Sequence, residues 1–531
     1  MTHGLLFALV AAGLLLPAGC QPRYVQPPRA AAQPPRAAKH SAASDAPGVS
    51  SAKAPDRDAH PPSEAPLGDA NLPAVSSRTL PNGLGLRVMP RRTLPLVSVQ
   101  LVVRAGRARD GAKPGAARLT AQLLAASGAG RWTRRKLAAR IESLGGRLGV
   151  GTDRDATWLG LDVTRDHLDG ALDLIATLAT QPRFLPATFQ RVRQRAQDAV
   201  RARRAAHPGD SMQQVLERRL FELPVGVSPY AHGRANADEL GALSLEDCRR
   251  WYRSELVPGN SVLVVTGDVD SDAVARSAGT AFARWKGHPV NAPTRTAALP
   301  PDRVEVDVID RPASRHSDIV VGTLGPDRDS PRWAALLGAV ELLGGESGRL
   351  SRRLSGRRPL ATQVGARVEP MAHGPALVVL SARSTTTRTA QAVQGILDAM
   401  GKLAGALPED AEIQAALRAL VERRARRTET VQGLARMGTR LAALGLPDDA
   451  YTALDRALRG LDPRSVNAAA QLFLRKGHVR VVVSGDAKRI AHALAHFGPV
   501  HLVNPAHDYT LIRSLPADPA TPLIIPPGET R

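Results

Sequence analysis

A chain of 531 residues exceeds what one hydrophobic core holds, so two or more domains are expected. Its 43% hydrophobic and 23% charged residues suit a globular protein and exclude a wholly disordered one. Lys and Arg number 71 against 49 Asp and Glu, a net charge of +22 that would suit a polyanion, yet 3% aromatic content argues against a base-stacking platform for single-stranded nucleic acid.

In chain order, residues 5–16 form an apolar run too short to span a bilayer, followed by Ala18-Gly19-Cys20. Residues 1–20 resemble a bacterial lipoprotein signal in which Cys20 is lipidated, despite Pro17 and an n-region without Lys or Arg. An ordinary cleaved signal is the alternative, and either predicts an exported protein on the periplasmic or cell-envelope face. If Cys20 is lipidated, Cys248 is left as a lone thiol. Residues 21–74 are dominated by Pro and Ala, with pairs such as Pro27-Pro28 and Pro61-Pro62, and read as an extended tether. Basic and acidic residues nearly balance there, so the +22 belongs to the folded part.

An internal repeat decides the architecture. The run Val262 to Asp268 recurs as Arg480 to Asp486, so that Gly267 maps onto Gly485, 218 residues on. The same offset carries Leu101-Val102-Val103 onto Ile319-Val320-Val321. Predicted strands at 84–89 and 98–104 match others at 304–309 and 318–324, and a strand pair is expected at 147–150 and 157–163. Arg-rich helices at 190–204 and 412–427 occupy comparable places. Strands paired locally and then run into helices predict an α+β fold of two homologous modules, each an antiparallel-rich sheet packed with helices, at 75–290 and 301–508. Residues 291–300 are the expected linker and 509–531, rich in Pro, an irregular tail.

Ordered markers run through both modules: Leu80-Pro81-Asn82-Gly83-Leu84, Val103-Arg104-Ala105-Gly106, Ser228-Pro229-Tyr230, Leu256 to Asn260, Thr266-Gly267-Asp268 and Leu343-Gly344-Gly345. On these the chain resembles the insulinase/pitrilysin peptidases, which include the mitochondrial processing peptidases, over residues 75 to 508. The resemblance implies a His-x-x-Glu-His motif on the first helix, with two imidazoles holding zinc and the Glu activating water. Here the first His position is Arg118, the Glu position Ala121 and the second His position Gln122, while Asp198 falls near the place of a distant acidic ligand. A guanidinium has no lone pair for a metal, a Gln is a poor zinc ligand and an Ala is no base. The chain is therefore expected to lack catalytic residues and to bind no metal or other cofactor.

The resemblance further implies a non-catalytic subunit of a hetero-oligomer with an active, zinc-bearing homologue, sharing a polypeptide substrate. In such subunits an Arg and a Tyr seven apart help hold substrate; the matching positions are Ser355 and Thr362. Arg352, Arg353, Arg357 and Arg358 lie nearby and could hold carboxylates or peptide carbonyls, a solvated basic loop being the alternative. Two other functions stand beside this one: a zinc endopeptidase with a substitute site, and a membrane-anchored envelope scaffold that uses its basic helices. Nucleic acid is not expected as a partner. His492 and His496 have helical metal-pair spacing without a Glu or Cys, and read as ordinary surface or half-buried residues.

Overall fold

The computed structural model describes residues 72–206, 208–222, 228–287, 298–356, 359–505 and 509–523. Cys20, Arg357 and Arg358 lie outside them, as do residues 1–71 and most of the expected linker.

The first sheet holds β1 (Ser76–Thr79), β2 (Gly85–Pro90), β3 (Leu96–Val103), β4 (Arg147–Thr152), β5 (Thr157–Thr164) and β6 (Ser261–Gly267). The second holds β7 (Glu305–Asp310), β8 (His316–Leu324), β9 (Thr362–Glu369), β10 (Leu377–Thr385), β11 (Arg480–Gly485), β12 (Val500–Asn504) and β13 (Thr510–Leu515). Their orders are β1-β2-β6-β3-β5-β4 and β13-β12-β7-β11-β8-β10-β9. With β2, β6, β3, β5 and β4 aligned to β7, β11, β8, β10 and β9, five consecutive places coincide, out to one edge of each sheet. The repeat read from Gly267 and Gly485 is therefore a repeat of topology. Pairing is antiparallel except where β6 runs with β2, and where β11 and β12 run with β7.

The central strands explain themselves through their side-chain alternation. An antiparallel sheet with one wet face alternates apolar and polar residues, but every residue of β6 is buried. Leu263 and Val265 join the core under the module's own helices, while Val262 and Val264 face the other way, against Leu434 and Met437. Those two belong to a helix of the second module, Val431–Ala443. The second sheet repeats the arrangement: Val481 and Val483 enter its own core, whereas Val482, Val320 and Val379 meet Leu216, Leu220 and Phe221. These come from the Pro208–Phe221 helix of the first module. Each module thus lends a helix to cover the far face of the other's sheet. Each fully buried Val, Leu or Met in that exchange is worth roughly 1.5–3 kcal/mol.

Close approach fixes the exchanged helices. A Cβ on Gly438 would lie 2.4 Å from Met89 Cε and 2.6 Å from Val264 Cγ1. On the opposite side, a Cβ on Gly322 would lie 2.5 Å from a methyl of Leu216.

The irregular tail expected at 509–531 is corrected at its start. Residues 510–515 form β13, paired antiparallel with β12, which would otherwise be an unpaired edge. The prolines that suggested an irregular tail begin only at Pro516, after the strand has ended.

Candidate functional site

The first-module helix that carries the degenerate motif spans Ala116–Ala126. It starts after Gly115, whose φ of +92° suits glycine, and Asp110 caps it, accepting hydrogen bonds from the Gly115 amide at 2.7 Å and the Ala117 amide at 2.8 Å. Seven of its residues, Ala121 among them, are buried. Arg118 and Gln122, one turn apart, form a half-buried stripe on one face. Both face a cleft of about 590 Å³. Ala199, Val200 and Arg203 line it from the Pro186–Ala206 helix, and β4 with the turn after it lines it from the sheet. Gln213, Glu369 and Tyr509 reach it from the exchanged helix and the second sheet.

Asp198 is not among the lining residues. It is exposed on the long helix, accepting from Gln194 at 3.0 Å and pairing with Arg201 at 3.4 Å. At about 100° of turn per residue, Ala199 takes the inward position that an acidic ligand would need. Arg118 makes no hydrogen bond or ion pair with the described residues, and its pKa is lowered by burial and by the repulsion of Arg203. A zinc ion does not fit this donor set: one amide oxygen, one cation and a methyl stand where two imidazoles and a carboxylate are required. Among the described residues, no group of three or more His, Cys, Asp and Glu is arranged to hold a metal.

A buried charge network lies beside the cleft. Glu217, on the exchanged helix, accepts from Arg107 and from Arg154 Nε at 3.1 Å, and from Gln213 at 3.1 Å. Arg154 also bridges to Glu369 at the end of β9, which Arg367 holds at 2.6 Å. Burial opposes the charge of Glu217, but the two arginines outweigh it and leave its pKa below the usual range. A second link joins Tyr230 to Asp155: its hydroxyl donates at 2.6 Å and accepts from the His373 amide at 3.1 Å. The Ser228-Pro229-Tyr230 marker was legible in the sequence, but its partners across the module boundary were not.

Of the four arginines expected to contact peptide, the two within the described residues, Arg352 and Arg353, make ion pairs. Arg352 pairs with Glu412 at 2.6 Å and Arg353 with Asp398, both beside the Arg349–Leu354 helix and outside the cleft lining. Ser355 donates to the Ala361 carbonyl at 3.2 Å, and Thr362 opens β9. His492 is exposed, and His496 lies 3.2 Å from the Thr521 carbonyl through Nδ1.

Two buried carboxyls give this region a pH signature. Burial pushes Asp110 up to about 7 against the two helix amides, and pushes Asp155 up to about 6 against the Tyr230 hydroxyl. A carboxyl whose folded pKa exceeds its unfolded value binds its proton more tightly when folded, so stability falls as pH rises from about 4 to 7. The thermal midpoint should therefore be higher near pH ~5.5 than near ~7.5, by about 2–4 °C per kcal/mol. Scanning calorimetry of the wild type and of Asp110→Asn checks this: the variant's profile should flatten between pH ~6 and ~8. A wild-type midpoint that climbs across that interval contradicts the assignment.

Comparison with known proteins places this geometry. The model "Insulinase (Peptidase family M16)" matches residues 88–228 and "Peptidase M16 inactive domain" matches 242–420. An uncharacterized zinc protease of Mycobacterium leprae is 24% identical over 433 residues, covering 79% of this chain and 94% of the relative. The crystal structure of a peptidase M16 inactive domain from Pseudomonas fluorescens superposes with a TM-score of 0.71 at 22% identity, over 77% of this chain and 97% of that one. A protease from Helicobacter pylori superposes at 0.69 and 20% identity, over 78% and 100%. With both family models matched in order and the two-sheet fold shared, the chain belongs to the insulinase (M16) peptidase family.

Proposed function

We propose that this chain is a non-catalytic insulinase-family subunit that pairs with an active, zinc-bearing homologue and helps enclose its polypeptide substrate. The observation that carries the reading is the pair Arg118 and Gln122, a cation and an amide where a peptidase of this family needs two zinc-binding imidazoles. The match of residues 242–420 to the inactive-domain model supports it. Arg352 and Arg353, paired with Glu412 and Asp398 but still partly exposed, remain candidates for contact with the peptide beside the cleft. Export and anchoring through Cys20 complete the proposal and place the pair at the cell envelope.

Metal analysis of the purified chain tests the core of it. The expected content is well below one zinc per chain, with no peptide hydrolysis by this chain alone and hydrolysis on mixing with a homologue that has an intact His-x-x-Glu-His. Stoichiometric zinc on this chain would overturn the reading. Hydrolysis by the homologue that this chain neither enables nor raises would remove the pairing.

A further inference from the structure

The helix with the degenerate motif offers the cleft two polar side chains, Arg118 and Gln122, and neither makes a hydrogen bond or ion pair with the described residues. The other charged groups of the lining are committed. Arg107 and Arg154 hold Glu217, and Glu369 is held by Arg154 and Arg367. Asp110 caps the helix, and Asp153 accepts from the Asp155 amide at 2.9 Å and the Ala156 amide at 2.8 Å. Arg203 and Arg234 have partners of their own. The lining amides Gln213, Gln214 and Asn236 are likewise bonded within the fold. We propose that Arg118 and Gln122 clamp the uncharged main chain of an extended peptide, so that the cleft reads peptide groups and not charged side chains. The inference rests on the reading of this chain as a subunit that holds peptide.

Spacing and chemistry fit that occupant. Positions 118 and 122 are one turn apart, about 6 Å along the helix axis. Peptide groups that point the same way along an extended chain recur every two residues, about 6.6 Å, which is nearly the same step. The Gln122 amide carries both an acceptor and a donor, the complement of one peptide group, and the Arg118 guanidinium, a donor only, suits a carbonyl oxygen. The half-buried Val150 and Val200, with the methyls of Ala121 and Ala199, give the side chains of the peptide an apolar wall. A cleft of about 590 Å³ has room for a short extended segment.

Titrating the purified full chain with fluorescent peptides tests it: acetyl-Ala-Val-Ala-Val-Ala amide, the same peptide with a free carboxylate, and a set with one N-methyl group at each amide in turn. The neutral peptide should bind, and its affinity should change less than about 3-fold with the free carboxylate or with added salt. N-methylation of at least one internal amide should weaken it by about 10-fold. Gln122→Met and Arg118→Met, which keep the apolar stems, should each weaken the neutral peptide by about 3- to 10-fold while the melting temperature holds, since neither side chain is bonded in the fold. Gln122→Met should also lose most of the N-methyl sensitivity. No saturable binding of the neutral peptide, an N-methyl series bound as tightly as the parent, or a sensitivity that survives unchanged in Gln122→Met would each overturn the assignment. Should the variants fail to fold, the N-methyl series on the wild type still decides. A chain that holds none of these peptides yet raises hydrolysis by the homologue loses the clamp and keeps the pairing; one that holds them without raising hydrolysis keeps the clamp and loses the pairing.

Discussion

Replacing Glu217 with Gln is expected to destabilise the folded chain by about 3–5 kcal/mol at neutral pH, measured by denaturant unfolding. The substitution preserves shape and the contact to Gln213, so the loss comes from charge alone. Arg107 and Arg154 would remain in place with only 16% and 14% of their side chains exposed and no carboxylate between them. Arg154 keeps Glu369, which caps the damage; Arg107 has no such reserve in the network. Because the folded pKa of Glu217 lies below its unfolded value near 4.5, the wild type holds this advantage above that pH and loses it as pH falls further. The gap between wild type and variant should therefore close in acid. A gap under about 1 kcal/mol at pH ~7 would show the network to be energetically idle.

Arg219→Met should cost a similar ~3–5 kcal/mol, with a different pH dependence. Arg219, on the exchanged helix, donates from Nε at 3.1 Å and Nη2 at 2.9 Å to Asp307 on β7. Asp307 is fully buried in the second sheet and its other oxygen has no hydrogen-bond partner among the described residues. Burial already raises its pKa, with Arg219 the chief opposing influence. Removing the arginine raises it further, so the variant should regain stability as pH falls and Asp307 takes up a proton, starting at a higher pH than the Glu217 variant. Adding Asp307→Asn to Arg219→Met should restore most of the loss, because a neutral pair leaves no unpaired charge. A double variant no better than the single one would place the cost in the lost packing of the arginine stem instead.

Strands and repeat were legible because β-branched runs such as Val262 to Val265 and Val481 to Val483 declare themselves without context. That such runs were apolar at every position also signalled cover on both faces, but not what supplied it. The exchange of the 208–221 and 431–443 helices rests on contacts such as Leu216 with Gly322 and Met89 with Gly438, far apart in sequence and invisible to local periodicity. β13 was hidden because its alternation is weak and the prolines after it dominate the composition. At the site, Arg118, Ala121 and Gln122 were legible through the resemblance to the insulinase family, which puts its motif on the first helix. The place of Asp198 was not, since one residue of register on a helix decides whether a side chain enters the cleft or the solvent. The buried acids Glu217, Asp155 and Asp307 carried no signal, for their roles depend on arginines and a tyrosine brought from other elements.

The exchanged helices have a consequence for how the molecule comes into being. Met89, Val102, Val262 and Val264 wait for the 431–443 helix, which begins 431 − 264 = 167 residues after the last of them, so the first sheet is synthesised and paired long before its last apolar face can be covered. Contacts at such separation slow folding and leave an adhesive surface bare in the interim. Neither half expressed alone should be a well-behaved domain, and two halves produced together should find each other, as the two chains of a dimer would.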